Sequence, residues 1–307
     1  METEADIPRT AAAGGRPLQG GAVWTSVTAV SVLLVALYWA VLPRLVTQWA
    51  TDDDHTHGFL ILPLALYFAW GRREKLSSLA VKPSLRGAGL LVLGLLMLVV
   101  GSIGAELFLQ RASLIVVLAG LVWLILGTAV LRELAFALAF LVFMVPLPAI
   151  AMNAVALPLQ LFAAQSATFC LQAAGVPVLR EGNVIVLADT TLEVAEACSG
   201  IRSLQALLAL GAVYGYFTQR AAWKRWALLL LSVPIAIAAN ALRVAGTGFL
   251  AHFWGSEAAH SFYHSFAGWI IFVVAFVLLL ACGAPLSRVP DRLSGGAAPA
   301  GPEGVRP

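Results

Sequence analysis

Charge is what this 307-residue chain most lacks: 11% of its residues are Asp, Glu, Lys or Arg, against 60% that are hydrophobic. A soluble domain with one buried core needs far more charged surface, so that class is excluded, and a mean hydropathy of +0.89 points to a polytopic integral membrane protein. Cysteine is scarce too. Cys170, Cys198 and Cys282 are an odd number with no CxxC spacing, which argues against a disulfide framework and against a thiolate metal site. No nucleic-acid motif is present, and a net charge of +3 reports orientation in a bilayer and not affinity for nucleic acid. The first apolar run, Val23 to about Leu42, is not followed by a small-residue cleavage site, so it reads as a retained helix.

What is present is a series of apolar runs. Residues 1–21 and 285–307 are rich in Ala, Gly and Pro and are expected to be disordered cytoplasmic tails around a membrane domain at 22–284. After the first run, others of roughly spanning length fall near residues 58–71, 87–105, 112–130, 134–150, 199–218, 225–250 and 265–283. Short loops rich in Lys and Arg stay in the cytoplasm, and Arg72, Arg73, Lys75, Lys82 and Arg86 mark one such loop, Arg220, Lys224 and Arg225 another, Arg288 and Arg292 a third. With those loops inside, residue 150 and the start of the run ending at 218 both fall outside. Residues 153–174, interrupted by Pro158 and carrying Gln160, Gln165 and Gln172, are therefore expected to lie along the outer interface or to dip in and return. The expected fold is all-α with about eight transmembrane helices and both termini cytoplasmic.

Between the interfacial segment and Cys198, residues 176–197 alternate β-branched and polar side chains around an REGN turn at 180–183. This predicts a small antiparallel β element outside the membrane. It leads directly into EACSGIRSL, where Cys198 falls at the outer, N-terminal end of a helix and Arg202 follows at i+4. The positive end of the helix dipole and the guanidinium both favour thiolate. The alternative for Cys198 is a small apolar filler, which is the expected role of Cys170 and Cys282.

Two further features point to the same face. Arg243, with Asn240 one turn earlier, sits in the outer half of an apolar run, where a charge is costly unless it meets a partner or a cavity. Glu193 and Glu196 are candidate ion-pair partners for it, and Gly246 and Gly248 would allow close approach. In AHSFYHSFAGW, residues 259–269, His260 and His264 are four apart at the outer start of the last span, with His252 nearby. That spacing suits a metal, but HExxH is absent and Glu257 is only a loose candidate for the carboxylate, so a general base beside a thiol needs fewer assumptions. A metal-dependent membrane hydrolase and a transporter with a buried Arg are the rival classes. Neither the repeat symmetry nor the paired broken helices of a transporter are found.

WATDDDHTHGFLILPLALYFAW, GVPVLREGNVIVLADTTLEVAEACSGIRSL, NALRVAGTGFLAHFWG and FYHSFAGW, in this order over roughly residues 48–275, resemble the exosortase family, the membrane-embedded cysteine transpeptidases of bacteria. The likeness is greatest to exosortases of the A type, associated with exopolysaccharide gene clusters. It implies a triad of Cys198, Arg243 and His264, as nucleophile, oxyanion stabiliser and general acid and base. Auxiliary candidates are Arg202, Asn240, His260 and Glu196, with Asp54 and His57 of DDDHTHG. It also implies a place in the bacterial inner membrane with the active site on the extracytoplasmic face. The implied partners are the bilayer, an acceptor nucleophile of unknown identity, and secreted proteins whose C-terminal sorting signal combines a Pro-Glu-Pro motif, a transmembrane helix and a basic cluster. The chemistry requires no metal and no organic cofactor. The chain departs from the family pattern at His260, where a non-histidine, often acidic, residue is expected, and at His55, an additional histidine.

Overall fold

The computed structural model describes residues 21–52, 54–188, 190–194, 201–262 and 268–290, with only the backbone described at 21–27 and 256–262. Most of the two expected tails lies outside these residues. Among the described residues the chain is helical apart from one three-stranded sheet, and it divides into two compact units, Met1–Pro148 and Ala149–Pro307.

The first unit opens with α1, Gly21–Leu37, and α2, Val41–Thr51, which meet at a bend of 71°. Tyr38 at the bend is fully buried and its hydroxyl pairs with that of Ser113 at 2.9 Å. α3, Gly58–Trp70, and the short α4, Arg73–Ser78, lead to the hairpin of α5, Arg86–Ile103, and α6, Leu107–Leu126. Glycines let these two helices touch: a side chain at Gly120 would come within 2.6 Å of the Leu91 backbone, and one at Gly94 within 2.7 Å of Val117. This is small-residue packing of the kind that joins helices where no hydrophobic drive separates them from lipid. α7, Thr128–Phe140, runs beside α3, with Phe68 edge-on to Phe136 and Phe140. Arg72 and Lys75 pair with Glu133 at one end of the two helices, and His57 meets Phe143 at the other. A 3₁₀ turn, Leu141–Met144, ends the run before Pro146 and Pro148.

The second unit begins with α8, Ala149–Ala173, followed by β1, Val178–Glu181, β2, Val184–Leu187, and β3, Thr191–Glu193, in the order β1-β2-β3, all antiparallel. The β element is as the alternation predicts. Glu181 faces Val184 across a two-residue turn whose Gly182 has φ +64°, a value glycine adopts freely. α9, Ile201–Thr218, α10, Ala222–Phe262, and α11, Gly268–Arg288, complete the unit. α10 contains one non-helical residue, Gly255 at φ +84°, so its first 34 residues, Ala222–Gly255, form one long helix and a short one continues beyond. Ile185, Leu187 and Val194 of the β element pack with Ala164, Leu171, Val244 and Ala245, which seats the sheet on α8 and α10.

The span count differs from expectation. Among the described residues, five helices are long and apolar enough to cross a membrane, or six with the bent α1–α2 pair taken as one span, fewer than the eight expected. α3 and α7 are 13 residues each, about 20 Å and short of a hydrocarbon core of about 30 Å. α9 is long enough, but Arg202, Gln205 and two tyrosines lower its apolar character. Residues 153–174 do not dip and return. They belong almost entirely to α8, one of the five, which continues through Pro158 as a single 25-residue helix.

Candidate functional site

Arg243 is the best-defined member of the expected site. α10 carries it half-buried, with Asn240 one turn earlier at 5% exposure. Its guanidinium lies 4.0 Å from the point where a Cβ on Gly268 would stand, so the first residue of α11 comes right up to the cation. The Thr247 hydroxyl donates to the Arg243 carbonyl at 2.9 Å.

α9 lies antiparallel to α10, and the contact between them fixes their register. A Cβ on Gly211 would collide with the Ser232 hydroxyl, and one on Gly215 would lie 3.3 Å from Arg225. Continued back along α9, that register sets Ile201 level with about residues 239–242, one turn from Arg243. Leu207, Leu228, Ala236 and Ala239 are buried in the same seam. On the other side, Val194, at the end of the β element, is 2% exposed and packs with Val244 and Ala245, the two residues after Arg243.

Cys198 and Glu196 lie outside the described residues, as does His264. Val194 packs with Val244 and Ala245, and Gly268 comes up to the Arg243 guanidinium. The single helix considered for 259–269 is described only as α10 to Phe262 and α11 from Gly268, with His260 in the short segment after Gly255. Arg202 and Glu193 are exposed, and so is His252. The two glycines near Arg243 differ: Gly246 faces open space, whereas a side chain at Gly248 would come within 2.6 Å of Leu171 on α8.

Asp54 and His57 belong to the first unit. His57 Nε2 donates to the Phe143 carbonyl at 3.1 Å. Burial lowers the His57 pKa, outweighing its hydrogen bonds to the backbone of Phe143 and Asp54, so the ring is neutral at neutral pH. The Asp54 N–H donates to Asp52 Oδ1 at 3.0 Å, and His55 Nδ1 donates to Asp52 Oδ2 at 2.9 Å. Burial alone would raise the Asp52 carboxyl, but those hydrogen bonds bring it below the usual carboxylate range. His55 is buried, with Nε2 making no hydrogen bond. Sequence reasoning missed Asp52 as its partner, although the i,i+3 spacing was there to be read. It also missed Gln205 on α9, whose Nε2 donates to Met152 Sδ at 3.8 Å while its Oε1 is buried without a partner.

Among the described residues, a small sheet seated on a helix that bears a half-buried arginine stands in an otherwise helical, apolar chain, the architecture of a polytopic membrane protein. The family model described as transmembrane exosortase (Exosortase_EpsH) matches residues 49–281, and the chain belongs to that family. No curated protein and no solved structure matches it. Exosortases are multi-pass, cysteine-type membrane transpeptidases that act on secreted proteins with C-terminal signals.

Proposed function

We propose that this exosortase cleaves a C-terminal sorting signal made of a Pro-Glu-Pro motif, a transmembrane helix and a basic cluster, with Cys198 as nucleophile, Arg243 as oxyanion stabiliser and His264 as acid and base. The Cys198 thiolate adds to the scissile carbonyl, and Arg243 stabilises the negative charge that develops on oxygen. The C–N bond breaks, His264 protonates the departing amine, and the secreted protein remains as a thioester on Cys198. His264 then takes a proton from the incoming nucleophile, which displaces the thiolate. An amine acceptor gives transpeptidation, and water gives hydrolysis.

The observation that supports this reading is a half-buried Arg243 on α10 with Val194, at the end of the β element, packed against the next two residues and Gly268 of α11 up against its guanidinium. Residues 22–284 are the working domain, set in a bacterial inner membrane with both termini cytoplasmic. The basic residues of 72–86 and 220–225 hold those loops inside, and the β element and its cysteine face out. With Glu133 beside Arg72 and Phe143 beside His57, α8 starts on the outer side, so in this topology it lies along the outer face and does not cross, which leaves the β element outside. The test is to incubate the protein in membranes with a substrate carrying the signal and to seek the acyl adduct on Cys198 by mass spectrometry. An adduct on another residue, or tail release by Cys198→Ala, would overturn the mechanism.

A further inference from the structure

Among the described residues β3 is an edge strand, and the groups on its outer edge can be worked out from its bonds. The Leu187 N–H donates to the Thr190 carbonyl at 2.8 Å, the Val194 N–H donates to the Asn183 carbonyl at 2.9 Å, and Leu192 stands opposite Ile185. In an antiparallel pair, alternate residues turn their backbone groups to the same side. Residues 190, 192 and 194 therefore bond to β2, and Thr191 and Glu193 direct both N–H and C=O away from the sheet. Both residues are exposed, while Leu192 turns its side chain toward the core under the sheet. β3 carries no proline, lysine or bulge, and its shortness and the exposed Glu193 leave an edge that can pair with only a few residues of another chain. It also ends five residues before Cys198.

We infer that the extended part of the substrate docks as a fourth, antiparallel strand on the outer edge of β3; this rests on the substrate class proposed above. Proline has no N–H, so it is tolerated in a strand only where its nitrogen faces away from the partner. In X-Pro-Glu-Pro the two prolines alternate with X and Glu, so one register turns both prolines outward and aims the N–H and C=O of X and Glu at β3. Two residues of the substrate then meet the two outward-facing residues of the strand. Pairing Glu with Thr191 and X with Glu193 keeps two carboxylates from standing opposite each other, a cross-strand arrangement that destabilises. The β element thus reads the spacing of the prolines through backbone bonds and delivers the chain beyond them to the cysteine segment.

The test uses the full-length protein in nanodiscs and a synthetic substrate in which the Pro–Glu amide is replaced by an ester, which deletes the N–H aimed at Thr191 and little else. One lost hydrogen bond should lower kcat/KM for tail release by about 2- to 10-fold. Thr191→Pro and Glu193→Pro remove outward N–H groups that the sheet does not use, and should each cost a similar factor. Combining Thr191→Pro with the ester should cost less than the product of the two, because both disrupt one residue pair. If either proline variant misfolds, the ester substrate on the parent decides alone. Equal rates on ester and amide, with cleavage still dependent on Cys198, would remove the strand docking and leave the transpeptidase reading intact. A parent that releases no tail from the amide substrate would overturn both.

Discussion

The two units hold their polar residues in different ways. In the first, buried polar groups mostly serve the fold: Tyr38 meets Ser113, the Trp49 indole donates to the Met144 carbonyl at 3.0 Å, Gln110 donates to the Gly101 carbonyl at 2.9 Å, and Asp52 holds His55. In the second, Thr168, Ser232 and Lys224 likewise bond to backbone carbonyls, but Asn240 and Arg243 sit where α11 and the β element come up to α10. A polar group in an apolar helix is thus not by itself evidence of chemistry. The more telling sign is a cation on which separate segments of the chain close in.

The comparison fails outright if activity survives loss of the second unit's nucleophile. Cys198→Ala should reduce tail release to background with normal protein level, while Cys170→Ala and Cys282→Ala remain near the parent rate; mass spectrometry of released tail measures all three. The next largest effects sharpen the assignment of the remaining roles. His264→Ala should cost about 10² to 10⁴ in initial rate, with His260→Ala losing tenfold or less, and a dead His260 variant beside an active His264 variant would reverse them. Arg243→Ala should cost about 10² to 10³ in kcat. Gly268→Ala should be tolerated, since its Cβ would rest at ordinary contact distance from Arg243, whereas Gly268→Leu should lower kcat by crowding the guanidinium.

Smaller effects separate packing from catalysis. Gly248→Ala drives a methyl into Leu171 and should lower thermal stability by about 1 to 3 kcal/mol, while Gly246→Ala, facing open space, should change the melting temperature little. The first unit should instead be sensitive to acid. His57 has a depressed pKa when folded, so as pH falls the unfolded chain takes up the proton first, and stability is lost below the ordinary histidine value of about 6.5. Asp52, also depressed, adds a further loss as pH falls on through the carboxylate range. Thermal melts across pH should show His57→Gln abolishing the first part of that decline. An unchanged profile in the variant would remove His57 from the account.

Where a local pattern determines a local structure, the sequence was a sound guide. The β element followed from alternation and a glycine turn, and α10 and α11 from long apolar runs. Span number was not legible in the same way, because run length does not reveal a 71° bend at residues 38–40 or a 3₁₀ turn before Pro146. At Pro158 the chain stays helical, because one proline removes one helical bond, which a 25-residue helix survives; of the two expectations for 153–174 this excludes the dip and return. Arg243 was identifiable as a charge in an apolar run, but its neighbour Gly268 was not, since that approach depends on how two helices pack.

The length of α10 also sets a depth. From Ala222 to Arg243 the helix rises about 32 Å, close to the thickness of a bilayer's hydrocarbon layer. At its start, Lys224 donates to the Val289 carbonyl and Arg225 to the Gln219 carbonyl, and Phe253 and Trp254, both exposed, lie beyond Arg243. A helix of that length standing along the bilayer normal would act as a ruler, with the guanidinium where oil gives way to water. At that height the tail helix of the proposed substrate would stay dissolved in lipid while a hydrophilic acceptor reached the bond to be broken.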